Sequence, residues 1–438
     1  MIVKIEKLVC DGYGLGRISD KDAGEKSGKV FLIKKALPED IVEVKIVSEK
    51  KNLIFGKIKN IISPSKFRIN AKCSHFENCG GCDLQNTSYE NQLKFKDEII
   101  MEIFAPTKIF ARPEKIIPAS KNELYYRNSI RYFFQVQNGK INFARHDFFD
   151  KNLLKIDRCF LQSEKNFEIL ELLKNILNNS LESKNSLWQL KIREGKYTSQ
   201  IMIEIITSDE NLPAEKEIVE SLKIIPEIKS IYQTIAPYKS LKKMRRRLLF
   251  GSLVVLEKVG PFTFQISPES FFQTNSCGVK TLYDVIKKFA EVKINDKVLD
   301  LFCGTGTIGI YLSTLAKKVV GIEIVPEAIR DANDNAKINK IKNIKFVCSD
   351  INNLTIRQFS NHTIIVDPPR AGLTKKLIDD LSKVNFKRLI YVSCNPMTFV
   401  RDLKLFESRG VIAEKIQPVD MFPQTHHIEI VGLLRKKF

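Results

Sequence analysis

Asp300-Leu-Phe-Cys-Gly-Thr-Gly-Thr-Ile-Gly309, entered from the apolar run that starts at Lys297, is the stretch that decides the fold. A strand pattern over Lys297–Cys303 runs into glycines at 304, 306 and 309. Glycines there let the backbone turn sharply and come close to a ligand. The spacing formally matches a dinucleotide fingerprint, with Glu323 about 20 residues on, where a carboxylate would meet a ribose diol. Asp300 argues against NAD: a fixed anion beside the loop disfavours a pyrophosphate at the helix N-terminus. It suits a cationic cofactor, and S-adenosylmethionine carries both a sulfonium and an ammonium.

Outward from this loop the chain alternates strand and helix. Further strands are expected at Val319–Ile324, Ile344–Ser349, Thr363–Val366, Arg388–Ser393 and His427–Leu434, with Pro326 opening a helix at its tolerated first-turn position. Such alternation implies a doubly wound, parallel α/β sheet, which binds ligands beyond the carboxyl ends of its strands. Asp350 ends the third strand, where it could receive an adenine amino group. Asp367-Pro-Pro-Arg370 ends the fourth, and the two prolines stiffen that carboxylate.

The fifth strand ends in Ser393-Cys-Asn-Pro396. Cys303 and Cys348 lie inside strand patterns and read as small buried hydrophobes. Cys394 sits where strand becomes loop, and a thiol with a free pKa of ~8.5 is an easily activated nucleophile. Carbon 5 of uracil is a poor nucleophile, but thiolate addition at carbon 6 makes it an enolate carbon that accepts a methyl group. A base must then remove the carbon-5 proton. In His426-His-Ile-Glu429 the alternation puts His427 and Glu429 on one strand face, and Glu429, an acid in an otherwise apolar strand, is the better candidate.

The length of 438 residues implies two to four domains at roughly 150 residues each, and 43% hydrophobic residues are ordinary for a globular chain. Lys and Arg outnumber Asp and Glu by 71 to 51, a net charge of +20 that implies an anionic partner, nucleic acid first; the cluster Lys242-Lys-Met-Arg-Arg-Arg247 adds to it. No apolar run approaches the roughly 18 residues of a membrane span. The N-terminus alternates like a strand without a signal-peptide core, so a cytoplasmic protein that does not engage membranes is expected. Nine cysteines, an odd number, point to metal ligation or catalysis rather than disulfides.

Three domains are expected: a small barrel of the oligonucleotide-binding kind over 1–62, a central α+β domain over 63–260 and the catalytic domain over 261–438. In the central part Cys73-x5-Cys79-Gly-Gly-Cys82 is compact, and its glycines admit a bulky ligand. Three thiolates need a fourth partner. Cys159 is the first candidate and His75 its competitor, and spacing leaves zinc and iron–sulfur open. Tyr125, Tyr126 and Phe133 could stack bases, with Arg127 and Arg131 on phosphate.

Across nearly its whole length the chain resembles bacterial RNA uracil-C5 methyltransferases, most closely the 23S ribosomal RNA branch. The resemblance rests on Phe271-Phe-Gln-Thr-Asn275, Asp300–Gly306, Asp367-Pro-Pro-Arg370, Ser393-Cys-Asn-Pro396 and Met421-Phe-Pro-Gln-Thr-x-His-x-Glu429. It implies a C-terminal Rossmann-like domain, Cys394 as nucleophile and Glu429 as general base. It implies Gln273, Phe302, Glu323 and Asp367 as S-adenosylmethionine positions, Asp350 as another near the cofactor, and Thr307 where close relatives often carry Asn. It identifies Asp11–Arg17 with Ala36–Asp40 as similar to the barrel called TRAM, and Cys73, Cys79, Cys82 and Cys159 as [4Fe-4S] ligands. It also implies that the helix after Cys82 packs back on the catalytic domain. The transfer-RNA branch often lacks both barrel and cysteines, so 23S rRNA is the first expected substrate and tRNA the second, with a monomer expected. Two alternatives remain: a non-catalytic RNA-binding assembly factor, and an S-adenosylmethionine enzyme acting on a small molecule or protein.

Overall fold

The computed structural model describes residues 1–18, 28–109, 111–149, 152–237 and 244–437. The chain divides into two compact units: Met1–Glu102 with Arg145–Phe160 and Phe422–His427, and Ile103–Ala144 with Leu161–Met421 and Ile428–Phe438.

In the first unit five strands, β1 (Ile2–Val9), β2 (Tyr13–Arg17), β3 (Val30–Lys34), β4 (Ile41–Lys50) and β5 (Leu53–Ser63), close into a barrel in the order β1-β2-β3-β5-β4. Period-two alternation sends Val3, Ile5, Phe31, Ile33, Val42 and Ile54 into a fully buried core. Gly16 allows β1 and β2 to close, because a Cβ there would stand 2.4 Å from the Lys4 carbonyl oxygen. Below the barrel the fully buried Asp40 accepts from the Leu37 N–H at 2.7 Å, the Ser65 N–H at 2.8 Å and the Arg68 guanidinium. The helix expected after Cys82 runs from Tyr89 to Phe104.

The second unit holds a mixed sheet of Arg245–Gly251, Ile228–Ile235, Ile201–Thr207, Leu187–Glu194, Ser129–Gln137 and Lys140–His146, neighbours in that order. Tyr126 is 1% exposed, so it serves the core and not a base-stacking surface. The arginine cluster is likewise spent within the protein: Arg245 pairs with Glu210, Arg246 with Glu204 and Glu269, and Arg247 with Glu215. Lys242 and Lys243 of that cluster lie outside the described residues.

The other large sheet carries the cofactor loop. Its order is Ile344–Cys348, Lys318–Glu323, Lys297–Leu301, His362–Val366, Arg388–Ser393, Glu429–Lys436, Val411–Asp420, with Ile117–Pro118 at the edge. The first five run parallel; Glu429–Lys436 is antiparallel to both its neighbours. The direction of winding reverses at Lys297–Leu301, which creates the crevice where such sheets bind ligands. His362–Val366 is buried at every position, as a strand covered on both faces must be. Three expectations change. Cys303 lies past its strand, though buried, and Cys348 is exposed rather than a core residue. The last strand begins at Glu429, so His427 does not share a strand face with it.

Candidate active site

The cofactor loop follows from backbone chemistry. After Leu301, Phe302 takes φ +63°, Gly304 +51° and Gly306 +78°. A Cβ on Gly306 would lie 2.4 Å from Cζ of Phe346, so both conformation and space demand glycine. The helix Thr307–Ser313 starts there. Asp300, fully buried, accepts from the Gly309 N–H at 2.9 Å through Oδ2, while among the described residues its Oδ1 has no hydrogen-bond partner. Burial, and then the neighbouring Asp367, push its carboxyl up to about 8. Glu323 accepts from the Gly304 N–H at 3.2 Å and, through its other oxygen, from the N–H groups of Ile324 and Val325. Thr307 is joined through its hydroxyl to the buried Tyr283 hydroxyl at 2.6 Å. Asp350 is half-buried and caps the following turn through the Asn352 N–H at 2.9 Å. A buried carboxyl with an unpaired oxygen beside a second raised carboxyl favours a positively charged group over a pyrophosphate.

Cys394 and Glu429, the expected nucleophile and base, come together through the antiparallel last strand. Ser393 lies opposite Ile430, so Cys394, the first residue past its strand, comes beside Glu429, the first residue of the last strand, near enough to feel its charge. Glu429 is 4% exposed on a strand with neighbours on both sides, which disposes of a solvent-facing edge glutamate. Burial first, then Asp367, push its carboxyl up to about 8, against a pull from Arg370. Asp367 is raised to about 7 by burial. Cys394 is half-buried; burial and then Glu429 push its thiol up to about 11, and Arg370 opposes them. Arg370 therefore acts electrostatically on both reacting groups. It was visible in the Asp367-Pro-Pro-Arg370 motif but carried no assigned role. Its loop is held by α-helical residues just after the nucleophile: Thr398 donates to the Arg370 carbonyl at 3.3 Å and Arg401 to the Ala371 carbonyl at 2.8 Å.

Gln273 lies in a loop gripped by Asn128, the residue just before the Ser129–Gln137 strand. The Asn128 amide donates to the Gln273 carbonyl at 2.8 Å and to the Ser276 hydroxyl at 2.7 Å, and Ser276 in turn donates to the buried Glu257. Asn275 caps the helix Ser276–Ala290 by accepting from the Gly278 N–H at 3.0 Å. Asn128 and Tyr283 had no sequence signal, because each acts across a long chain separation. A separate cleft of about 580 Å³, lined by residues such as Gln200, Lys229, Phe250 and Gln265, contains none of these groups. The chemistry, not the roominess of that cleft, places the site at the strand ends.

The four cysteines belong to the first unit. Cys73 and Cys82 each feel the charge of Cys79 and Cys159, behind a larger effect of burial that pushes Cys82 up to about 12. The Gln85 amide donates to the Cys82 sulfur at 3.2 Å. His75 accepts from the Asp157 N–H at 3.1 Å through Nε2. Among the described residues, however, no group of three or more His, Cys, Asp or Glu side chains stands close enough to hold a metal ion. The expected ligands are neighbours without forming a closed metal site.

Comparison with known proteins gives the family. The tRNA (uracil-5-)-methyltransferase family matches residues 88–437. The chain belongs to that family. An uncharacterized RNA methyltransferase of Halalkalibacterium halodurans is 34% identical over 99% of this chain and 96% of its own length. One from Fusobacterium nucleatum is 36% identical, over 99% and 95%. Among solved structures, the Pyrococcus abyssi tRNA (uracil-54, C5)-methyltransferase in complex with S-adenosyl-L-homocysteine superposes with a TM-score of 0.77 at 28% identity, over 99% of this chain and all of that one. This methyltransferase is thus an S-adenosylmethionine-dependent enzyme that modifies uracil in RNA at carbon 5. No helix among the described residues is long and apolar enough to cross a membrane.

Proposed function

We propose that the methyltransferase modifies one specific uridine by covalent catalysis, with Cys394 as nucleophile and Glu429 as general base. The observation that carries this reading is that Cys394 follows the end of Arg388–Ser393 where Glu429 opens the neighbouring strand, with Arg370 acting on both. Bound S-adenosylmethionine supplies the electrophilic methyl group, and Asp300, Glu323, Asp350, Asp367, Phe302, Thr307 and Gln273 are the residues that would hold it. The Cys394 thiol loses its proton to solvent, aided by the Arg370 cation. Its sulfur bonds to carbon 6 of uracil, and the ring electrons move to the carbonyl as an enolate. Carbon 5 would take the methyl group as that group's bond to the sulfonium sulfur breaks, the electron pair staying on sulfur. Glu429 removes the carbon-5 proton, the carbon 5–carbon 6 double bond re-forms, and the Cys394 thiolate leaves. A base raised towards neutrality is well matched to that proton transfer.

The substrate we infer first is 23S ribosomal RNA, on the strength of the four-cysteine pattern Cys73, Cys79, Cys82 and Cys159. These residues are the ligands we propose for a [4Fe-4S] cluster, zinc being the second choice, in a role that braces the fold. The barrel does not discriminate between substrates, because the Pyrococcus tRNA enzyme matches this chain over its full length. That match supports tRNA as the second reading. Ribosomal fragments and tRNA carrying 5-fluorouridine separate the two. Fluorine cannot leave as a proton, so the true substrate should form a persistent protein–RNA adduct at Cys394. The absence of any adduct, despite RNA binding, would overturn the covalent mechanism.

A further inference from the structure

A buried carboxylate close to the nucleophile takes no part in the chemistry described above. Asp402 lies on the helix Pro396–Glu407, which follows Cys394, and is 0% exposed. Its Oδ2 accepts from the Tyr391 hydroxyl at 2.7 Å and from the Leu373 N–H at 2.8 Å. Its Oδ1 accepts from Nε of Arg401 at 2.8 Å. These partners come from three places. Tyr391 belongs to the strand Arg388–Ser393 that ends at the nucleophile, Arg401 to the helix itself, and Leu373 to the turn that follows Arg370. A buried carboxylate is costly unless paired and hydrogen-bonded, and the partners of Asp402 all border the nucleophile.

The Arg370 turn is moulded on this carboxylate. Gly372 has φ +76°, and a Cβ there would stand 2.5 Å from Asp402 Oδ2 and 2.6 Å from Arg401 Nη2. Only glycine lets the backbone come so close in that conformation. Arg401 grips both sides, pairing with Asp402 and donating to the Ala371 carbonyl at 2.8 Å. At the start of the turn the side-chain amide of Asn395, the residue after Cys394, donates to the Arg370 carbonyl at 3.5 Å. Arg370 is exposed, so water screens its cation, and its effect on Cys394 depends on how closely the turn holds it.

We propose that Asp402 is a positioning residue for the nucleophile: through Leu373, Gly372 and Arg401 it fixes the Arg370 turn beside Cys394, and through Tyr391 it ties that turn to the strand that presents the thiol. Burial, Glu429 and Asp367 oppose ionisation of the Cys394 thiol, and Arg370 favours it. Arg401 and Tyr391 are the titratable groups that face Asp402. Loosening the turn withdraws the Arg370 cation and leaves the opposing groups in place. The inference rests on Cys394 being the nucleophile.

The test follows alkylation of Cys394 by iodoacetamide in the full chain, without RNA, using mass spectrometry of the peptide that carries it, between pH 7 and pH 9. Asp402→Asn keeps the side-chain volume and removes the charge. Loss of a negative charge by itself favours the thiolate, and a damaged fold exposes the thiol; both would speed alkylation. Withdrawal of Arg370 acts the other way. Cys394 should react about three- to tenfold more slowly, for a rise of roughly one pH unit in its ionisation, partly offset because a more basic thiolate is a better nucleophile. Arg370→Gln should slow the reaction at least as much. Arg370→Gln/Asp402→Asn should be no slower than Arg370→Gln alone, because Asp402 acts through that cation. Tyr391→Phe keeps charge and shape, removes one donor to Asp402, and should slow alkylation less; alone and combined with Arg370→Gln it decides the question if Asp402→Asn does not fold. An unchanged or faster rate in Asp402→Asn, or a further slowing when it is added to Arg370→Gln, would overturn the proposal. Failure of the methylation reading is distinguishable, since alkylation needs no RNA: slowed alkylation in these variants, with no adduct on any 5-fluorouridine RNA, would refute the mechanism and spare the positioning role.

Discussion

Two glycines of the cofactor loop offer a controlled measurement of why the loop has its sequence. Both Gly304 and Gly306 have positive φ, at +51° and +78°. Alanine at either must adopt the left-handed region, at a cost of roughly 1–2 kcal/mol. There the similarity ends. Around Gly304 an added Cβ meets nothing within 4 Å, whereas at Gly306 it meets Phe346 Cζ at 2.4 Å, Phe346 Cε1 at 2.8 Å and Ala332 Cβ at 3.1 Å. Phe346 is 7% exposed and cannot swing away freely, so overpacking adds about 1–3 kcal/mol. Gly304→Ala should therefore destabilise by about 1–2 kcal/mol and Gly306→Ala by about 2–5 kcal/mol. The assay is urea denaturation of both variants beside wild type, with S-adenosylmethionine affinity by calorimetry. Gly306→Ala/Phe346→Leu should recover part of the larger loss, since the clash partner is trimmed. Equal losses at the two positions, or no recovery in the double variant, would refute the steric account of this loop.

The remaining expectations follow from the same geometry. Glu429→Gln should still form the Cys394–RNA bond but fail to resolve it, so a methylated covalent adduct should accumulate on denaturing gels; Cys394→Ala should abolish both adduct and turnover. Burial raises Asp300 and Glu429 to about 8 and Asp367 to about 7, so in the absence of ligand the folded state holds more protons than the unfolded chain. Stability should thus be greatest below about pH 4, as far as these groups decide it, and be lost as pH rises through 7–8. A cationic ligand favours the ionised carboxyls, so S-adenosylmethionine affinity measured by calorimetry should tighten between pH 6 and pH 9, and Asp300→Asn should flatten that profile. Asp40→Ala should cost about 3–5 kcal/mol in the barrel unit, because it strands the Arg68 cation and two buried N–H donors; limited proteolysis of residues 1–102 would report it. Anaerobically purified protein should carry about four iron atoms per chain if Cys73, Cys79, Cys82 and Cys159 hold a [4Fe-4S] cluster, and elemental analysis of the four single serine variants would test it.

Periodicity and residue chemistry were enough to read the strand ends. Asp367 and Cys394 each follow directly on an apolar strand, and an apolar run that stops at a reactive side chain delivers it to the carboxyl end of the sheet, while Asp300 stands one residue before its strand ends. Short strands of that size likewise suggested a small barrel, and period two separates a core face from a solvent face whatever the partner strand is; closure was decided by the pairing of the strands. Cys348 misled, since a strand pattern states that one face is covered without saying which residue occupies it at the end. The arginine run 245–247 misled for a related reason: sequence counts charges, and only folding brought Glu204, Glu210, Glu215 and Glu269 beside them.

By itself, then, the sequence determined which side chains were available for the chemistry and which short segments would carry them, since both are local properties of the chain. Tertiary structure alone decided who faces whom. Glu429 meets Cys394 because the last strand inserts antiparallel beside Arg388–Ser393, with Ser393 opposite Ile430. Arg370 acts on both because its turn is tied to the helix that follows the nucleophile. Asn128 steadies Gln273 across 145 residues of chain. Sheet order and register are settled by the total packing of both faces, to which every strand contributes, and no single segment encodes them.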